Sequence, residues 1–261
     1  MQNQQASAPI SSLTPSPSPQ GGEGGRRPLP AIASIRDFYA FEQHVKTCRA
    51  HRGLGMVPQW YEIPVFYFSN PTAVLHDGDP VFAPHGSTAL DYELELACII
   101  GQPARNLPAD DRALECVAGF TIMNDWSARD LQRAEMAVGL GPSKSKDFAT
   151  SLGPALVPFE MLKKYWRDGR LHLDMTATVN GRTLSRGNAG SMHWTWPQIL
   201  AHASRDADLC PGDVLGSGTV GAGCILELTP EAVGGWLKPG DEVVLAIEGI
   251  GQLRNRVVER K

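Results

Sequence analysis

The sequence predicts an α+β chain that is mainly β, and three observations carry that prediction. Leu171, Leu173, Met175, Ala177 and Val179 alternate with polar residues, the period of a half-buried strand, and Asn180-Gly181 comes next as a type I′ hairpin turn. Pro211-Gly212-Asp213 and Pro239-Gly240-Asp241 are turn signals that launch strands around Val214-Leu215 and residues 243–247. Helical spacing, by contrast, is confined to a few short stretches.

Residues 1–30 are rich in Gln, Ser, Pro and Gly and offer almost nothing to bury, so they are expected to be a disordered tail, with 31–261 as the folded domain. Phe38, Phe41 and Val45 recur at helical spacing, and Asp37 suits the N-cap of that helix. Residues 63–68 are strand-like, and Asp77-Gly78-Asp79-Pro80 is a turn. Residues 117–123 form an apolar strand ending at Asn124-Asp125, either of which can cap a helix over 127–135. A loop spans 139–146, and Thr195 with an early Pro opens a helix over 195–204.

With 261 residues and 42% hydrophobic content the chain can bury a sizeable core. A net charge of -4 gives no electrostatic footprint for nucleic acid or an anionic membrane, so small molecules are the expected partners. The five cysteines are odd in number, scattered and never in a Cys-x-x-Cys, which argues against a disulfide framework or a zinc site and fits a reducing cytoplasm. No apolar run approaches the roughly 20 residues of a membrane span, and no secretory signal pattern opens the sequence.

The chemistry-bearing stretch is Leu90-Asp91-Tyr92-Glu93-Leu94-Glu95-Leu96-Ala97. In a strand, Tyr92, Leu94 and Leu96 share one side while Asp91, Glu93 and Glu95 share the other. Neighbouring carboxylates entering a core repel, and a bound cation would resolve that conflict. Alone, the octapeptide is more often a half-buried strand with a solvated acidic face. Asp125 at a strand-to-helix boundary and Asp37 at a helix start bring the acids of interest to four, oxygen donors suited to magnesium, calcium or manganese, although each aspartate singly is more often a plain N-cap. Gly216-Ser217-Gly218-Thr219-Val220-Gly221 matches a dinucleotide-binding turn, but the stretch 222–228 is not a convincing helix and no βαβ alternation surrounds it.

Four motifs in order resemble those of the fumarylacetoacetate hydrolase family: the octapeptide at 90–97, Asn124-Asp125-Trp126-Ser127-Ala128-Arg129-Asp130-Leu131-Gln132, Lys146-Asp147-Phe148-Ala149-Thr150, and Ser217-Gly218-Thr219. The resemblance covers roughly residues 35 to 255, and Asp37-Phe38-Tyr39 with Gln43-His44 is similar to the long fumarylacetoacetase branch. It implies a mixed β-sheet roll with peripheral helices, usually a homodimer, with 31–261 as the catalytic domain. It implies Asp37, Glu93, Glu95 and Asp125 as ligands of Mg2+, Mn2+ or Ca2+. His44 matches the general base, Glu227 the carboxylate that orients it, and Lys146 a polar group beside the metal. Tyr39, Gln132, Thr150 and Thr219 match substrate or metal-side contacts.

The departures are as specific. No counterpart of the long branch's N-terminal barrel domain is expected within these 261 residues. Met136 stands where that branch has a substrate-binding tyrosine, and Thr47 where the short branch has a glutamate. Arg49 and Arg52 both compete for the carboxylate-binding role, with Arg52 carried forward. The implied reaction is hydrolysis of a carbon-carbon bond in a 1,3-diketo acid such as fumarylacetoacetate or an acylpyruvate, in aromatic-compound catabolism: the metal polarises the carbonyl and steadies the departing enolate while His44 activates water. Alternatives are a 2-oxo acid decarboxylase, isomerase or hydratase on the same fold, and a non-catalytic metal- or ligand-binding protein.

Overall fold

The structure, a computed structural model, describes residues 25–260. In chain order the strands are β1 (Ser34–Phe38), β2 (Phe66–Ser69), β3 (Val74–Leu75), β4 (Pro80–Phe82), β5 (Leu90–Asp91), β6 (Leu94–Ile100), β7 (Val117–Asp125) and β8 (Ser127–Ala128). Then come β9 (Thr150–Val157), β10 (Trp166–Arg167), β11 (Arg170–Leu171), β12 (Asp174–Val179), β13 (Arg182–Asn188), β14 (Asp213–Gly216), β15 (Glu242–Ile247) and β16 (Gly251–Val258). The helices are α1 (Glu42–Ala50), α2 (Arg129–Val138), α3 (Phe159–Leu162), α4 (Trp196–Ala203), α5 (Ile225–Leu228) and α6 (Pro230–Val233).

Among the described residues two sheets dominate. One has seven strands in the order β2-β1-β14-β6-β7-β9-β3, mixing parallel pairs such as β1 with β14 and antiparallel ones such as β6 with β7. The other has five, β13-β12-β15-β16-β4. This is the mixed β architecture with short helices that the sequence predicts. No helix among the described residues is long and apolar enough to cross a membrane.

β6 lies at the middle of the larger sheet and is buried throughout. Leu94, Leu96, Cys98 and Ile100 enter the main core with Phe120, Ile122, Trp196 and Leu245. Ala97 and Ile99 face the other way, into a smaller cluster with Ile35, Met123, Leu152 and Val214. The strand period of two then carries each strand from an apolar residue of this cluster to a polar one nearer its end: Ile35 to Asp37, Ala97 to Glu95, Met123 to Asp125, Leu152 to Thr150. One sheet face thus changes from core to polar site along its own strands.

Several local expectations hold. Asn180 and Gly181 have φ of 51° and 77°, as a type I′ turn between β12 and β13 requires. Thr195 and Gln198 form a reciprocal capping box at the start of α4.

Others are corrected. Asp37 is not a helix cap: it sits in β1, held by parallel pairing with β14, and α1 begins only at Glu42 with Phe41 before it. Nor does Asp125 cap a helix, because it ends β7, the next residues pair with β5, and α2 starts at Arg129 with Ala128 at its N-cap. The acidic row is broken at Tyr92-Glu93, between β5 and β6. Residues 225–228, in a stretch that is not a convincing helix by pattern, form the short helix α5. Residues 25–30, expected within the tail, are placed: β3 pairs with β9 only at Thr150 and Ser151, and farther along the strand Arg27 and Leu156 exchange backbone hydrogen bonds of 2.9 Å. The rest of the expected tail, residues 1–24, lies outside the described residues.

Candidate active site

Asp37, Glu93, Glu95 and Asp125 are all buried, and one carboxylate oxygen from each lies within 4.8 Å of the others. Three strands and the β5–β6 break supply them, so convergence comes from sheet register rather than from any local motif. Gly216 on β14 makes the room: a Cβ there would come 2.5 Å from Asp37 Oδ1. Asp37 Oδ1, Glu95 Oε2 and Asp125 Oδ1 are buried without a hydrogen-bonding partner. Buried carboxylate oxygens without donors are costly, and together these form an oxygen-only donor set that fits a hard divalent cation.

The electrostatics express the same crowding. Burial, and then Asp125, push Asp37 up to about 8 against the pull of Glu95 and Lys146. Burial and the neighbouring acids raise Glu95 well above the carboxylate range, and burial also raises Asp125. Glu93 is the exception: burial would raise it, but Lys146, Arg129 and His44 hold it well below its usual value. The Lys146 ammonium donates to Glu93 and, at 2.5 Å, to Asp125 Oδ2.

The sequence gives Asp91, Arg129 and Tyr67 no site role and offers Asn124 only as a helix cap, yet all four support the acids. Arg129 Nη2 donates to Glu93 Oε1 at 2.7 Å, and its Nε donates to Asp91 Oδ2 at 2.8 Å. Tyr67 Oη donates to Asp125, and Asn124 Oδ1 accepts from the Glu93 amide at 2.9 Å. Asp91 also accepts from the amides of Ile225 and Leu226, at 2.7 and 3.0 Å, so it fastens the first turn of α5. The signal was present in Arg129, a cation four residues after Asp125 in a motif otherwise read for its acid. Asp91→Ala would leave the buried Arg129 Nε and two amide donors without their acceptor; a loss of about 3 kcal/mol in urea unfolding is expected, as for breaking other buried pairs. An unfolding midpoint equal to that of the parent protein would contradict this.

The helix α5 matters because it carries Glu227. His44 Nδ1 lies 2.7 Å from Glu227 Oε2, and the same carboxylate accepts from the amides of Ala222 and Gly223 at 3.1 and 3.2 Å. Ala222 has φ of 59°, a left-handed conformation rare for a residue with a Cβ, at the turn that presents its amide to Glu227. His44 Nε2 lies 3.9 Å from Glu93 Oε1, so the imidazole spans from Glu227 to the four-acid cluster. Burial alone would lower His44, but Cys224 and Glu227 outweigh it and push the imidazole up to about 10.

The remaining predicted residues are distributed around this centre. Thr219 Oγ1 donates to Glu95 Oε1 at 3.3 Å, and Thr150 pairs with Asp125 across β7 and β9. Tyr39 meets the His44 ring edge-on, 5.4 Å between centroids. Gln132 Oε1 accepts from Arg129 Nη1 at 3.0 Å, one step removed from the acids. Arg49 is engaged, its Nε 2.5 Å from the Gly55 carbonyl, whereas Arg52 is exposed beyond the end of α1.

Comparison with known proteins decides the family: residues 33–258 match the C-terminal domain of fumarylacetoacetate hydrolase. The chain belongs to the fumarylacetoacetate hydrolase family. Fumarylacetoacetase of Arabidopsis thaliana is 29% identical over 274 residues, covering 82% of this chain but only 65% of that enzyme. The crystal structure of 5-carboxymethyl-2-hydroxymuconate delta-isomerase from Mycobacterium smegmatis is 28% identical, with a TM-score of 0.68 over 88% of this chain and 80% of that one. Fumarylpyruvate hydrolase from Pseudomonas aeruginosa, solved with Mn2+ and pyruvate, shares the fold at 22% identity, with a TM-score of 0.71 over 93% and 95%. The proteins this chain is similar to thus include a hydrolase and an isomerase.

Proposed function

We propose that the chain is a divalent-metal-dependent hydrolase that cleaves a carbon-carbon bond in a 1,3-diketo acid of the fumarylacetoacetate or acylpyruvate type, in aromatic-compound catabolism. The carrying observation is the histidine-carboxylate pair, 2.7 Å from Nδ1 to Oε2, set against the four-acid cluster. A site that only moves a proton or releases carbon dioxide from a 2-oxo acid has no need of a water-activating pair. Asp37, Glu93, Glu95 and Asp125 would hold Mg2+, Mn2+ or Ca2+, which when bound supplies Lewis acidity to the diketone oxygens and the departing enolate. His44 takes the proton of the attacking water at Nε2, while Nδ1–H stays donated to Glu227, which fixes the tautomer. Lys146 holds positive charge where oxyanion charge develops.

Tyr39, Gln132, Thr150 and Thr219 are assigned to substrate contact. Arg52 is assigned to the substrate carboxylate, since Arg49 already serves the Gly55 carbonyl. Residues 31–261 form the catalytic domain, acting as a cytoplasmic homodimer. The test is loss of diketone absorbance over a panel of acylpyruvates and fumarylacetoacetate: loss that requires Mg2+ or Mn2+ is expected, and none with either metal would overturn the reading. The likeness to an isomerase keeps a second reading alive. Turnover of a 2-oxo acid that survives Glu227→Gln would favour it, and stabilisation by Mg2+ with oxalate but no turnover would favour a binding protein.

A further inference from the structure

We propose that His44, Cys224 and Glu227, with the Cys48 thiol beside them, form a second cation site, for a thiophilic divalent ion of the zinc type. Sequence spacing argued against any such site because the cysteines are scattered. The fold nevertheless brings them close: Cys48 lies one helical turn after His44 on α1, and Cys224 immediately precedes α5, which carries Glu227. One ligand atom each from His44, Cys224 and Glu227 lies within 4.8 Å of the others.

The spacings approach those of a coordination shell. Tetrahedral zinc, with bonds of about 2.3 Å to sulfur and about 2.0–2.1 Å to nitrogen or oxygen, needs sulfur-to-nitrogen or sulfur-to-oxygen edges of about 3.5 Å. Cys224 Sγ lies 3.6 Å from Glu227 Oε2, while Cys48 Sγ lies 3.7 Å from both Nδ1 and Nε2 of His44, off the Nδ1 lone pair, so it joins the shell only by a change of rotamer. The Nδ1–Oε2 edge, 2.7 Å with a proton between the atoms, is the one that must widen, to about 3.3 Å, as the cation takes the place of that proton. Thiolate and imidazole donors separate this site in preference from the oxygen-only cluster next to it, which favours hard ions.

A cation there occupies the Nδ1–Glu227 bond, so it removes the orientation on which the proposed base depends. That consequence rests on the hydrolase reading, whereas binding itself does not. The probe is Co2+ titrated into the full chain in a large excess of Mg2+, which fills the oxygen site. The expected result is a thiolate-to-cobalt charge-transfer band that saturates at one ion per chain, is displaced by Zn2+, weakens in Cys48→Ser and vanishes in Cys224→Ser. No band, or one that persists in Cys224→Ser, overturns the site. Should Cys224→Ser fail to fold, X-ray absorption of the zinc-loaded parent protein decides: sulfur in the first shell supports the site, and a shell of oxygen and nitrogen alone overturns it. Zinc should also inhibit turnover in a way that added Mg2+ does not relieve. A sulfur shell with undiminished turnover would keep the site and overturn the role given to His44 and Glu227.

Discussion

His44→Ala is expected to lower kcat on a 1,3-diketo acid by about 10²- to 10⁴-fold, the range for removing a positioned general base. The imidazole is buried, paired through Nδ1 with Glu227 and directed through Nε2 towards Glu93, so no other side chain among the described residues duplicates that placement. Glu227→Gln should act in the same direction more weakly, because an amide can still accept from Nδ1–H but no longer stabilises an imidazolium. Base chemistry needs the neutral ring, and since Glu227 and Cys224 favour its protonated form, activity should fall on the acid side of the His44 titration. The acid limb of kcat/KM should disappear in His44→Ala. A folding control is available: His44 is outside the four-acid cluster, so thermal stabilisation by Mg2+ should persist. Full turnover in the variant would remove His44 from the mechanism.

How much of this site the sequence discloses depends on how each residue is delivered. Glu93 and Glu95 are legible because both sit in one short run, although Glu93 falls in the break just before β6 and only Glu95 is on the strand. Asp37 and Asp125 are legible as acids worth noticing but not in their setting. Each precedes a helix, so local pattern favours a cap; in the structure each is at or next to the end of a buried strand, and its direction is set by pairing with β14 or by the two neighbours of β7. Nothing local encodes that pairing. Glu227 is harder still, because the stretch 222–228 is not a convincing helix by pattern, and the amides of Ile225 and Leu226 are held in their turn by Asp91, distant in sequence. The pairing of His44 with Glu227 came from resemblance to the family and not from spacing. Arg129 is not legible as a site residue from local pattern, because its partners Asp91 and Glu93, against which it is buried, lie more than 30 residues earlier in the chain.

Asp125→Asn is expected to weaken divalent-cation binding by at least the roughly 10- to 100-fold seen when even a supporting partner of a metal ligand is lost. In the parent protein a cation at a hundred times its Kd should add about 2.7 kcal/mol, roughly 5–10 °C in Tm for a chain of this size. The same shift in Asp125→Asn should be small, and an undiminished shift would exclude Asp125 from the donor set. The effect should also depend on pH, with a sign fixed by Asp37. Its folded value, about 8, lies above the ordinary aspartate value of 3.8. The contribution of this group to the metal-free fold is therefore complete below about pH 4 and lost as pH rises through about 8. A cation competes with that proton, so the Mg2+-induced rise in Tm should be larger above pH 8 than at pH 6, where part of the binding energy goes into displacing the proton. Glu95, raised for the same reasons, pushes in the same direction. Lys146 opposes them, since its ammonium lies against Glu93 and Asp125 and must share those carboxylates with the incoming ion. Lys146→Met should therefore lower turnover while leaving cation affinity equal or higher, which separates its role from that of the four acids.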